Sequence, residues 1–78
     1  MDNIKLLREL RPGEKGEVIK IKEKGSAYRR ILDMGIVKGA RVEMKRVAPL
    51  GDPVEIKIKG YHLSLRKDEA AGIYIEID

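Results

Sequence analysis

Apolar and polar positions alternate with period two along most of this chain, and one stretch near the middle breaks the rule. Over residues 17–22, Ile19 and Ile21 fall on one side and Lys20 and Lys22 on the other, the pattern of a strand with one buried face. Val42 and Met44 repeat it against Arg41, Glu43 and Lys45, and Ile73, Ile75 and Ile77 repeat it against Tyr74 and Glu76. Residues 54–66 are the most legible segment. With Lys59-Gly60 as a two-residue turn, Ile58 opposes Tyr61, Ile56 opposes Leu63 and Val54 opposes Leu65, so six apolar residues share one face. The other face sets Glu55 across from Ser64 and Lys57 across from His62. A slip of one residue would turn the apolar set outward, which fixes the register.

Residues 26–39, SAYRRILDMGIVKG, change period. Tyr28, Ile31 and Leu32 stand at i, i+3 and i+4, which predicts a helix over about residues 26–34 with those three on its buried side. Ser26 is placed to cap its start, after a Gly25 that lets the chain turn. Gly35 suits the left-handed position that ends a helix, and Ile36 would then touch Ile31. Arg29, Arg30 and Asp33 point away from the apolar side, with Arg29 and Asp33 as i, i+4 neighbours. Two cations in the first turn and an anion in the last run against the helix dipole, so helix stability does not account for them. A solvated face and a partner-binding surface both fit that placement.

Between these elements lie breakers. Arg11-Pro12-Gly13-Glu14 predicts a type II turn. Ile4, Leu6, Leu7 and Leu10 form a short apolar segment, helical turn or strand, packing on the body, and residues 67–71 read as one helical turn closed by Gly72. Residues 48–53, APLGDP, hold two prolines and a glycine and end any ladder. Leu50 within them is read as tucked back against the body, the alternative being an exposed anchor. The sum is a mainly β chain of about five short antiparallel strands and one inserted helix. Strands so short cannot cover a broad sandwich; a small curled barrel encloses a core of this size.

Seventy-eight residues suit one domain over residues 1–78 with a modest core. There is no cysteine, which removes disulfides and thiolate metal sites. No apolar run is long enough to span a bilayer, and MDNIKLLREL is too charged for a signal peptide, so a cytoplasmic location is expected. The net charge of +4 admits acidic partners, nucleic acid or an anionic membrane face without choosing among them, because no block of one sign occurs.

The residues supply little chemistry of their own. Ser64 has no patterned base, Ser26 is taken as a cap, and the glycines sit singly at turns rather than in a phosphate-binding loop. The chain is therefore read as non-enzymatic. A metal would find His62 as its one candidate ligand, facing outward beside Lys57, where several ligands are needed. Nucleic acid is not expected: of three tyrosines, Tyr28 and Tyr61 are assigned to the core and Tyr74 alone faces out, with no Phe or Trp.

Three stretches, taken together and in order, resemble the FeoA family of small ferrous iron transport proteins. They are Leu7-Arg-Glu-Leu10-Arg-Pro-Gly13-Glu-Lys-Gly16, Arg29-Arg-Ile-Leu-Asp-Met-Gly35-Ile-Val-Lys-Gly39, and Ala48-Pro-Leu-Gly-Asp-Pro53 followed by Gly60-Tyr-His-Leu-Ser-Leu-Arg66 and Glu69-Ala70. Lys38 departs from the proline that members often carry there. The resemblance implies an SH3-like barrel with an inserted helix. It implies an accessory role in bacterial ferrous iron uptake beside FeoB, the membrane transporter with a cytosolic GTPase domain. A related SH3-like domain ends iron-dependent repressors, so regulation by domain contact is the wider theme. The expected docking residues are Arg29, Arg30, Asp33 and Met34 on the helix side and Leu50, Gly51 and Asp52 on the loop side. The family is also described as binding transition metals, Fe2+ or Zn2+, which keeps a metal-binding or iron-sensing domain using His62 as the alternative reading. A nucleic-acid-binding basic barrel is the second alternative.

Overall fold

The computed structural model describes the backbone of residues 3–22 and 25–78 and the side chains of residues 3–22 and 28–78. Its strands are β1 (Ile4–Leu6), β2 (Lys15–Ile21), β3 (Arg41–Val47), β4 (Val54–Ile58), β5 (Tyr61–Leu65) and β6 (Ile73–Ile77). Helix α1 (Gly25–Asp33) joins β2 to β3, and the four-residue α2 (Lys67–Ala70) joins β5 to β6. All six strands form one antiparallel sheet in the order β1-β6-β2-β3-β4-β5. The strand beyond the expected five is β1, paired with Tyr74–Glu76 of β6 and followed by a 3₁₀ turn at Leu7–Glu9. The apolar segment that the sequence left between strand and helical turn is thus both in succession.

The sheet curls because one core collects side chains from its whole width. Val18, Val42, Met44, Val54, Ile56, Ile58, Leu65, Ile73 and Ile75 are buried in a single cluster with Leu7 and Leu10 before β2 and Ile31 and Ile36 from the α1 region. A fully buried Ile or Leu contributes about 1.5–3 kcal/mol. Gly16 permits the tightest approach: a Cβ there would lie 2.1 Å from the Glu76 carbonyl oxygen.

The β4–β5 hairpin has the expected register throughout, from Val54 opposite Leu65 to Ile58 opposite Tyr61. Lys59 and Gly60 both take positive φ, +50° and +85°, as a two-residue turn of right twist requires. Tyr61 departs from the expected buried face. It is 46% exposed, because it lies at the hairpin's end, and its hydroxyl donates to the Met34 carbonyl at 3.3 Å. Tyr74, expected outward, is half-buried on β6, and the Lys20 ammonium sits 5.5 Å from its ring centroid.

β2 also differs from the simple alternation. Val18 pairs with Ile75 and Lys20 with Tyr74, so Ile19 is the extra residue of a bulge. The bulge shifts the phase: Val18 is fully buried, while Ile19 and Ile21 are half-buried. Val18 and Ile21 thus sit on either side of a shift that a run of alternating residues does not announce.

Helix α1 ends as its sequence foretells. Gly35 has φ +87°, its N–H donates to Leu32 O at 2.9 Å, and Ile36 N–H reaches back to Ile31 O at 3.2 Å. That pair of bonds is the Schellman stop. The helix begins at Gly25, so Ser26 stands inside its first turn; the side chain of Ser26 and residues 23–24 fall outside the described residues. Of the three apolar helix residues expected inside, Ile31 is buried, Tyr28 is half-buried, and Leu32 is 38% exposed. The body of the sheet meets a narrower stripe of the helix than the i, i+3, i+4 rule grants it.

Candidate docking surface

The residues of α1 fare differently from one another. Arg29 and Asp33 are exposed, and among the described residues no ion pair joins them. Arg30 instead reaches α2: its Nη1 lies 3.1 Å from Oε2 of Glu69, whose side chain is 6% exposed. The other carboxylate oxygen, Oε1, accepts the Arg66 backbone N–H at 2.9 Å and so caps the start of α2. Arg30 is therefore a strut between helices, and Arg29 is the arginine left toward solvent. Met34 is half-buried against the core and serves through its carbonyl, which holds Tyr61.

The loop side is more sharply defined than its composition suggests. Gly51 N–H donates to Ala48 O at 2.7 Å, and Ala48 N–H donates to Pro53 O at 3.1 Å, so the loop is bonded across its base. Gly51 has φ +82°, a conformation that glycine takes without strain. Leu50 at the tip is 91% exposed. This corrects the tucked reading: two bonds close the turn beneath it and aim its side chain outward. Asp52 faces the body, with Oδ1 accepting the Lys67 N–H at 2.9 Å.

Both halves are thus fastened to α2, the loop at Lys67 and α1 at Glu69. Two shallow clefts mark the same junction. One of about 620 Å³ runs beside Asp52, Arg66 and Arg8, and one of about 180 Å³ lies beside Tyr28 and Ile31; Asp68 and Ala71 line both. Sequence reasoning singled out α1 and the loop but missed Glu69 and α2 as the piece between them. Glu69-Ala70 stands in the family pattern, but its role was not legible, because the burial of Glu69 comes from packing that the charged turn does not announce.

Elsewhere the charges pair locally. Arg41 bridges to Asp78 and Lys45 to Glu43. The Arg11 backbone N–H, 2.7 Å from Glu14 Oε1, holds the Glu14 carboxyl below its usual range, helped by the Lys5 ammonium at 3.3 Å and opposed by partial desolvation. For a metal the donors do not fit. His62 is exposed opposite Lys57, and among the described residues no group of three or more His, Cys, Asp or Glu side chains is gathered to hold one.

The family model for the FeoA domain matches residues 5–77. The chain belongs to the FeoA family. A relative in Porphyromonas gingivalis, an Fe(2+) transport protein A/Fe(2+) transporter FeoB fusion protein, is 38% identical over 71 residues. That match covers 91% of this chain and 8% of the fusion, so the chain spans less than a tenth of that relative's length. Among solved structures, a FeoA-like protein from Clostridium acetobutylicum superposes with a TM-score of 0.89 at 40% identity, covering 99% of this chain and 90% of that one. FeoA from Stenotrophomonas maltophilia, solved with zinc and described as a prokaryotic SH3 domain protein, gives a TM-score of 0.74 at 26% identity over 92% of this chain and 87% of its own. The FeoA fold here is accordingly SH3-like. The zinc belongs to that relative; this chain's described residues offer no cluster to match it.

Proposed function

We propose that this FeoA-family protein is a non-enzymatic accessory of ferrous iron uptake that docks on the cytosolic, GTPase-bearing part of a FeoB-type transporter. Fusion of the two modules in the Porphyromonas relative supports the pairing, since fused modules work at high effective concentration. The observation that carries the docking surface is Leu50, 91% exposed at the tip of a hydrogen-bonded loop. A large apolar side chain held out on a rigid turn costs little entropy to bury in a partner and suits the centre of an interface. Arg29 and Asp33 supply polar contacts on the other side of α2. Arg30 and Asp52, already engaged within the fold, hold the two halves in place. The protein would act from the cytoplasmic side; among the described residues no helix is long and apolar enough to cross a membrane.

An NMR titration of the labelled chain with the isolated cytosolic domain of the transporter tests this reading. The expected result is amide shifts at Arg29, Asp33, Leu50 and Gly51, weakened in Leu50→Asp. Shifts centred on the outer strand face around His62, or none, would overturn it.

A further inference from the structure

Strand β2 is left half-paired. Its ladder to β3 covers Lys15, Gly16 and Glu17, opposite Glu43, Val42 and Arg41. Val18 closes that side, its N–H on Ala40 O at 2.9 Å and its carbonyl accepting from Gly39 N–H at 2.7 Å. Past the Ile19 bulge, β2 pairs among the described residues with β6 alone, Lys20 opposite Tyr74 and Ile21 opposite Ile73. Lys22 N–H donates to Gly72 O at 2.8 Å. In an antiparallel ladder hydrogen-bonded pairs alternate, so the bonds fall at Lys22 and Lys20, and Ile21 turns its N–H and C=O to the opposite edge.

Along that edge, between β2 and α1, runs an open groove of about 580 Å³. Its apolar wall is Ile19, Ile21, Tyr28 and Leu32. Lys20, Lys22 and Lys38 complete the lining, with no acid among the described lining residues. The Lys20 ammonium is drawn toward Tyr74, whereas Lys22 and Lys38 are exposed and make no ion pair among the described residues. Among the described residues, an unpaired strand edge, an apolar wall and lysines without ion pairs thus meet in one place.

We infer that this groove receives an extended, acidic–apolar segment of a partner protein, added as a short strand on the free edge of β2. The Ile21 backbone would bond the segment, its apolar side chains would cover Tyr28 and Leu32, and its carboxylates would meet Lys22 and Lys38. A helix could not use the Ile21 N–H and C=O, because its own backbone bonds are internal. A flat bilayer surface could not reach them inside a concave groove. This site is separate from the Leu50 loop and stands whether or not that loop docks on a transporter.

The test uses the labelled full chain and a peptide of about six residues alternating valine and glutamate, with a valine–lysine peptide as counterpart. The valine–glutamate peptide is expected to shift Ile21, Tyr28 and Leu32 saturably and to slow exchange of the Ile21 amide. Lys22→Glu with Lys38→Glu should weaken it by about tenfold or more and gain binding of the valine–lysine peptide. Shifts elsewhere, indifference to the charge reversal, or a response at these residues to phosphatidylglycerol vesicles but not to peptide would overturn the proposal.

Discussion

Arg30 of α1 and Glu69 of α2 are joined at 3.1 Å, and the pair is lopsided: the arginine side chain is 57% exposed and the glutamate 6%. Removing the exposed partner strands a nearly buried carboxylate, which is costlier than losing a surface ion pair. Arg30→Ala is expected to lower stability by about 1–2 kcal/mol, a fall in Tm of roughly 5–15 °C for a chain this size. Arg29→Ala should stay within about 0.5 kcal/mol of the parent. Thermal melts of the two variants side by side check the assignment of one arginine to the fold and the other to the surface.

Leu50 makes the opposite prediction. A leucine this exposed contributes almost nothing to the core, so Leu50→Asp should leave stability within about 0.5 kcal/mol. If Leu50 anchors a partner, the same variant should weaken binding by about tenfold or more. A melt and a titration on one sample measure both.

Gly16 is required by contact rather than by dihedral angle. It faces Ile77 on one side and Val42 on the other, with the Glu76 carbonyl where a Cβ would be. Because the obstacle is backbone, Gly16→Ala must part β2 from β6, at about 3 kcal/mol or more. Urea unfolding should show the free energy of unfolding lowered by that amount, with the midpoint falling in proportion to it. Gly13→Ala offers a contrast: nothing lies within 4 Å of its Cβ position, and the cost there comes from φ +94°.

Glu14 gives the fold a pH dependence with a definite sign. Its carboxyl is held below its usual value in the folded chain, first by the Arg11 N–H and then by Lys5. The ionised form is thus favoured by folding, and its stabilisation is present above the unfolded pKa and lost as pH falls through the lower folded value. Glu14→Gln should lower Tm at neutral pH, with the difference closing on acidification below the ordinary glutamate range. Melts across pH for the two proteins check it; a gap that persists in acid would overturn the assignment.

What the sequence determined by itself was set mostly by near neighbours in the chain. The Arg11–Glu14 turn, with Glu14 N–H on Arg11 O at 2.9 Å, follows from Pro12 and Gly13. The β4–β5 register follows from Lys59-Gly60 and an alternation with one consistent solution. The stop of α1 follows from Gly35 and Ile36. The family, and with it the SH3-like barrel, was legible in motifs spread over the whole chain. What the tertiary structure decided were relations between elements distant in sequence. The docking of α2 made Arg30 a strut and Asp52 a cap, although both carry charges typical of a free surface. Leu50 is the local exception: hydrophobicity argued for burial, whereas the short-range Ala48–Gly51 and Ala48–Pro53 bonds hold it outward. The bulge at Ile19 let Val18 enter the core as well as Ile21, which packs half-buried against it, where simple alternation would have put Val18 outside. Period and turn chemistry act over a few residues, whereas burial and pairing depend on which elements come to lie against each other.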